Sequence, residues 1–225
     1  MTAWPSPIKA IIFDCDGTIL DTLQTYFQAN GAILGFKYPP ELAKQTNGRS
    51  EIEVATIIVN HFHLSMTPQD FLSKRNVILK DTLPKSEVIP HVDDLIRKFK
   101  EMGFKMSVAT SCNRTLHALK TQNHRDLFSL FDYEVCGDEV KHAKPSPDVF
   151  QLAASKLGNF KPENILVFED AAAGVKAANN AKMPVVVFHK NDEEFHQNLK
   201  DYEAEPTVII ESFDNFDYSL FKWEP

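Results

Sequence analysis

Short apolar runs that each stop at a polar turn recur along this chain, with helical patterns between them, and that alternation restricts the fold more than any other feature. Residues 8–13 are mostly apolar and run into Asp14-Cys15-Asp16-Gly17, the pattern of a buried strand closed by a turn. Residues 105–109 end the same way at Thr110-Ser111, and residues 164–168 at Glu169-Asp170. Residues 184–188 and 207–210 are two further strand candidates, and residues 133–136 a shorter one. Between them, residues 92–102 carry Leu95, Ile96 and Phe99 at helical spacing before Gly103. Residues 147–157 start on a proline and stop before Gly158, and residues 171–181 are rich in alanine. Strands alternating with helices imply a parallel sheet covered on both faces.

One stretch breaks the alternation. From 22 to 88 the periodicity is helical throughout, clearest over 52–62 and 68–79, and no strand is evident. It follows the first strand directly, so it reads as an inserted helical cap, with residues 1–21 and 89–225 forming the core. The fold class expected is therefore α/β, a Rossmann-like doubly wound parallel sheet with an inserted α-helical cap domain.

At 225 residues, 43% hydrophobic and 24% charged, the chain can bury an ordinary core without disulfides or structural metal. A net charge of −7 argues against nucleic acid as a partner, which would call for clustered Lys and Arg. Three widely spaced cysteines, Cys15, Cys112 and Cys136, suggest neither a disulfide framework nor a zinc ribbon and fit a reducing compartment. No signal peptide pattern and no run long enough to span a membrane is found, so the cytoplasm is the expected location. A monomer is favoured.

The polar residues gather where a parallel sheet binds ligands, beyond the carboxyl ends of its strands. Asp14 and Asp16 follow the first strand, Thr110 the second and Glu169-Asp170 a later one, while Lys144 lies in a loop leading into a helix. Four carboxylates in one crevice are costly unless something positive joins them. An oxygen-rich set without Cys or His ligands suits Mg²⁺. With Lys144, that ion would bring the crevice to about −1 by reference ionisation states, and a phosphate ester could then approach. In such a site Asp14 suits nucleophilic attack on a phosphoryl group, giving an aspartyl-phosphate. Asp16 can protonate the leaving oxygen and later activate water. Alternation along the chain puts both on one side, with Cys15 pointing away. Thr110 can donate to a phosphoryl oxygen, with Ser111 beside it, and Lys144 can stabilise developing charge.

The chain resembles the haloacid dehalogenase superfamily over about residues 8–210. The motifs that carry the resemblance come in order: Asp14-Cys15-Asp16-Gly17-Thr18, Val108-Ala109-Thr110-Ser111, Lys144-Pro145 with Asp148, and Phe168-Glu169-Asp170-Ala171 with Gly174. The helical insert matches the subgroup with a small cap. Within it the chain is similar to the β-phosphoglucomutase-like and pseudouridine-5′-phosphatase-like branch, through residues 124–131 and 166–171. The resemblance implies a Mg²⁺-dependent phosphatase acting on a small phosphate ester: a sugar, polyol or nucleoside monophosphate, with pseudouridine 5′-phosphate among them. It implies Asp14 as nucleophile, Asp16 as acid/base that also gives a backbone carbonyl to the metal, and Asp170 as metal ligand with Glu169 beside it.

Blander readings compete at several positions. Acidic residues before a glycine are common turn formers, and Thr110 or Lys144 alone would be a turn residue and a solvated lysine. His61 and His63 do not share a helical face, so a packing or solvated role outranks a metal site. Cys15 and Cys112 read as small buried hydrophobes rather than redox groups. Two readings stand level for Arg49, a contact to the substrate's leaving group or a surface role at a helix start capped by Ser50. The rival functions are a phosphosugar mutase of β-phosphoglucomutase type, a response-regulator-type signalling module, which would be about half this long and lack the insert, and an inactive binding homologue.

Overall fold

The structure is a computed structural model. It describes residues 4–214 and 216–225, and of Lys44 only the backbone. Six parallel strands form the main sheet: β1 Ala10–Phe13, β2 Lys105–Ala109, β3 Tyr133–Val135, β4 Ile165–Glu169, β5 Val185–Phe188 and β6 Val208–Ile210. Their order is β3-β2-β1-β4-β5-β6. The chain winds outward from β1 to β3, then crosses back to β4 and winds the other way. The switch in direction therefore falls beside β1, where such sheets form a ligand crevice.

Register levels the strand ends at that point. Phe13 pairs with Val108 on one side and Phe168 on the other, so the residues after all three positions emerge together. The strands are buried on both faces, as a covered parallel sheet requires. Ile11, Phe13, Val108 and Phe168 face one core and Ala10, Ile12, Ala109 and Val167 the other. Phe13 stacks on Phe168 with ring centroids 4.6 Å apart, which pins the central strands side by side beneath the crevice.

The run read as one strand over 8–13 is two. Pro7–Ile8 pairs with Lys222–Trp223 near the carboxyl end, and only Ala10–Phe13 joins the main sheet. Trp223 packs against Phe99 and Phe104 and closes one face of the core.

Between β1 and β2 lie four helices: α1 Leu23–Leu34, α2 Pro40–Thr46, α3 Glu51–His61 and α4 Pro68–Thr82. They share their own apolar cluster, including Leu42, Ala55, Ile58 and Phe71. The chain enters and leaves them through a short antiparallel pair, Leu20–Asp21 with Glu87–Val88. Local signals start the helices: Ser50 sits in a capping box with Glu53, and Thr67 accepts from the N–H of Asp70 at 3.1 Å. The longer helices of the rest of the chain are α5 Val92–Glu101, α6 Arg114–Thr121, α7 Asp148–Leu157, α8 Ala172–Asn180 and α9 Glu193–Asp201, with one further turn at Arg125–Phe128. The amphipathic α5 buries Val92, Leu95, Ile96 and Phe99 on the sheet. Among the described residues no helix is long and apolar enough to cross a membrane.

Candidate active site

Asp14 leaves the end of β1 with its N–H on the Phe168 carbonyl at 2.8 Å, so backbone pairing fixes where its carboxylate starts. Lys144 reaches it from the loop before α7. The Nζ atom donates to Asp14 Oδ1 at 2.6 Å, to Glu169 Oε1 at 2.7 Å and to the Ala109 carbonyl at 3.3 Å, matching the three protons of an ammonium. It also lies 4.7 Å from the centre of the Phe150 ring. The other oxygen of Glu169 accepts from the N–H groups of Asp170 and Ala171 at 2.7 and 2.8 Å. Glu169 is thus tied down on both oxygens, chiefly as a brace for Lys144.

Two glycines make room for these acids. A Cβ on Gly174 would lie 1.7 Å from Glu169 Oε1, and one on Gly17, at φ +86°, would lie 2.3 Å from Asp170 Oδ2. Only glycine permits either approach.

Asp16 faces a different set of partners. Thr22 donates to its Oδ1 at 2.6 Å, and Thr110 donates to its Oδ2 at 3.1 Å. Lys120 of α6, fully buried, forms an ion pair with the same Oδ2. Thr110, expected to serve a phosphoryl oxygen, here has the Asp16 carboxylate and the Cys112 thiol as acceptors, of which the charged carboxylate is the stronger. The Ser111 hydroxyl, also expected at phosphate, donates to the Gly48 carbonyl of the insert at 3.2 Å. Among the described residues the Asp16 carboxylate is not grouped with those of Asp14, Glu169 and Asp170.

The electrostatics follow from burial. Desolvation pushes the Asp14 carboxyl up to about 7 against the pull of Lys144, with Glu169 and Asp16 adding to the rise. Asp170 is pushed well above the carboxylate range by burial and then by Glu169 and Asp14. Burial acts most strongly and would raise Asp16 too, but the Lys120 ammonium and the Thr22 hydroxyl together outweigh it and leave the group below its ordinary value. Burial works against the charge of Lys144, yet Asp14 and Glu169 more than compensate and hold it protonated.

One oxygen each from Asp14, Glu169 and Asp170 lies within 4.8 Å of the other two. This all-oxygen set, with two acids pushed up first by burial and then by their acidic neighbours, fits a hard divalent cation such as Mg²⁺. The earlier count of charges changes. Lys120 as well as Lys144 offsets the four carboxylates, leaving about two negative charges at reference ionisation states, the charge of one such ion.

The insert closes over these groups. Glu51 accepts from the backbone N–H and side-chain amide of Asn113 at 3.0 and 2.7 Å, and its other oxygen pairs with Arg75 at 2.7 Å. Asn47 extends its amide to Asp170 Oδ2 at 3.5 Å. Below them is a chamber of about 90 Å³ whose lining includes Asp14, Asp16, Tyr26, Asn30, Glu51 and Arg75. Three polar atoms of its insert side, Tyr26 Oη, Asn30 Oδ1 and Arg75 Nε, are buried with no hydrogen-bond partner among the described residues. Arg49 also lines the chamber, but its Nε donates to the Gln45 carbonyl at 2.8 Å and its Nη1 is 4.0 Å from Glu53. His61 ends α3 and His63 follows it, and the pair is absent from the metal-competent clusters among the described residues.

Sequence reading missed Lys120, Glu51, Arg75, Tyr26 and Asn30. The available signal for Lys120 was its place one turn after Leu116, on the apolar side of a helix, where a lysine needs a buried partner. The others sit on helices whose facing toward the core is set by the fold alone.

A carboxylate at the end of β1 braced by a buried lysine, a second two residues on, and an acidic trio fit for a cation define a phosphatase of the haloacid dehalogenase type. The chain belongs to the haloacid dehalogenase-like hydrolases, whose family pattern matches residues 11–188. It is 39% identical over 196 residues to (DL)-glycerol-3-phosphatase 2 of Arabidopsis thaliana, covering 83% of this chain and 82% of that protein. It is 37% identical over 183 residues to "Probable pseudouridine-5'-phosphatase" of Drosophila melanogaster, covering 78% and 79%. The fold is shared with CbbY of Rhodobacter sphaeroides solved with phosphate, at a TM-score of 0.78, 24% identity and coverage of 93% and 96%. The chain is thus a phosphatase of this family acting on small phosphorylated metabolites.

Proposed function

We propose that this enzyme hydrolyses the monoester of a short polyhydroxylated alcohol in two in-line steps, with residues 22–88 acting as a cap over a core of 1–21 and 89–225. The observation that carries the reading is the Asp14 carboxylate, held by Lys144 on Oδ1 so that Oδ2 is left to attack, at the floor of a small polar chamber. In the first step Asp14 Oδ2 forms a bond to phosphorus, the bond to the leaving oxygen breaks, and Asp16, ionised beside Lys120 in the free enzyme, gives that oxygen a proton it takes up as the anionic phosphate binds next to it. In the second, Asp16 takes a proton from water, the water oxygen attacks phosphorus, and the bond to Asp14 breaks. Lys144 keeps Asp14 in place and offsets charge that develops on the phosphoryl group. Thr110 and Ser111 stand at the end of β2, where a hydroxyl can turn to a phosphoryl oxygen. Asp14 and Asp170, with Glu169 beside them and the Asp16 carbonyl, would hold Mg²⁺, which supplies charge neutralisation for the phosphate.

Chamber size supports a short leaving group. About 90 Å³ is well below the several hundred typical of sites for larger ligands. The unpartnered atoms of Tyr26, Asn30 and Arg75 offer hydroxyls both donors and an acceptor. Glu51 already offsets the charge of Arg75, which disfavours a second phosphate there. The glycerol-3-phosphatase relative agrees with this class.

A nucleoside monophosphate is the second reading. A cleft of about 920 Å³ shares Leu23, Phe27, Asn47 and Asp170 with the chamber, and its Tyr38 and Tyr202 suit a base. The pseudouridine-5′-phosphatase relative fits that alternative. A panel of polyol, sugar and nucleoside monophosphates, pseudouridine 5′-phosphate included, is assayed for phosphate release with Mg²⁺. The expected result is release in step with substrate loss, fastest on three- and four-carbon polyol esters. An isomerised ester without free phosphate means a mutase and overturns hydrolysis; release from none overturns the phosphatase reading. The protein is expected to act as a cytoplasmic monomer without nucleic-acid or membrane partners.

A further inference from the structure

Lys144 is accounted for by Asp14 and Glu169, which leaves a second buried cation at the site without an assigned task. Lys120 is fully buried near the end of α6. Among the described residues Asp16 is the one carboxylate paired with it. Its Nζ also lies 5.9 Å from the centre of the Tyr26 ring on α1, so the ammonium is enclosed between core and insert. Three donors thus converge on Asp16, with Thr22 on one oxygen and Thr110 and Lys120 on the other.

We propose that Lys120 is a positioning residue for Asp16, fixing where that carboxylate points relative to the phosphoryl group on Asp14. A buried ion pair adds little stability over an apolar pair of the same shape, so what this pair provides is the direction of one carboxylate. Thr22 and Thr110 each offer a single proton, and the Thr110 hydroxyl also has the Cys112 thiol as an acceptor at 3.3 Å, whereas Lys120 is fully buried on α6 and brings a full charge. Proton transfer tolerates little misplacement, and a carboxylate released from the lysine would rotate away from the leaving oxygen. Lys120 touches no reacting atom and acts only through Asp16. The proposal rests on the phosphoryl-transfer reading of Asp14 and Asp16.

The test is a double-mutant cycle on the full-length enzyme with Mg²⁺, using p-nitrophenyl phosphate and phenyl phosphate, so that it does not depend on the physiological substrate. Lys120→Met is expected to lower kcat about 10- to 100-fold, part of what a positioned acid/base contributes. KM should stay within about twofold, since no substrate contact is lost. The loss in kcat/KM should be larger on phenyl phosphate, whose leaving oxygen depends more on a proton. In an Asp16→Asn background the same Lys120→Met change should cost less than about threefold, because the residue it acts through is gone. A structural role would cost the same in both backgrounds. Should Lys120→Met not fold, Lys120→Gln, which keeps a donor near Asp16, carries the same cycle. An active wild type with additive losses overturns the role of Lys120 alone; a wild type inert on both esters overturns the phosphatase reading and this proposal with it.

Discussion

Replacing Lys144 by Met tests the electrostatic design of the site most directly. The side chain is 1% exposed, and its loss strips a partner from Asp14 at 2.6 Å and from Glu169 at 2.7 Å. Breaking a buried pair by removing one partner costs about 3–5 kcal/mol, because the remaining charge is left without compensation. Here the cost depends on pH. Asp14 titrates at about 7 even with Lys144 beside it, and without the lysine it moves higher. A carboxyl whose native pKa lies above its unfolded value gives stability that is present at low pH and lost as pH rises through the native pKa. On the Asp14 side the variant should therefore lose little at pH 6, where that group carries its proton in both proteins, and up to about 1.4 kcal/mol more at pH 8, one unit above its native value, beyond the cost of the lost Glu169 contact. Urea unfolding in EDTA at the two pH values measures the difference. Turnover at saturating Mg²⁺ should fall by about 10²–10³, the usual effect of removing one preorganised charge from a transition state. An equal loss of stability at pH 6 and pH 8, or a total under about 1 kcal/mol, would refute the account of Lys144 as the counterion of Asp14.

Asp14→Asn should abolish hydrolysis of p-nitrophenyl phosphate while the circular dichroism spectrum is unchanged, since the amide keeps the shape but cannot attack phosphorus; retained turnover contradicts the assigned nucleophile. Gly174→Ala should cost about 1–3 kcal/mol in chemical denaturation and depress kcat, because its Cβ would fall 1.7 Å from Glu169 Oε1 and displace the brace of Lys144. Chelation should stop turnover and Mg²⁺ restore it. By calorimetry the apparent Mg²⁺ affinity should rise from pH 6 to pH 8, because Asp14 and Asp170 hold protons that the cation must displace. Affinity indifferent to pH would mean that these two acids are not its ligands.

Sequence sufficed wherever one local pattern sufficed. The mostly apolar runs ending at Phe13, Ala109 and Phe168 are strands because burial on both faces favours apolar residues, and each runs into polar residues, Asp14, Thr110 and Glu169. A helix start at Ser50 was readable because caps act within four residues. The split of residues 8–13 was not readable, because Pro7–Ile8 finds its partner more than 200 residues away. The chamber was not readable either, since Tyr26, Asn30 and Arg75 look like ordinary helix residues until α1 and α4 are turned toward β1.

The charge near Asp14 shows the same division. Local patterns alone put Asp14, Asp16, Glu169 and Asp170 at the ends of neighbouring strands, because parallel register brings those ends level whatever the details of packing. Only the tertiary structure decided that Lys120 would join them, that Glu169 would brace a lysine, and that Thr110 would face Asp16. Those choices depend on distances of a few ångströms between residues about 25 to 105 positions apart, and electrostatic energy in a buried site changes steeply over such distances.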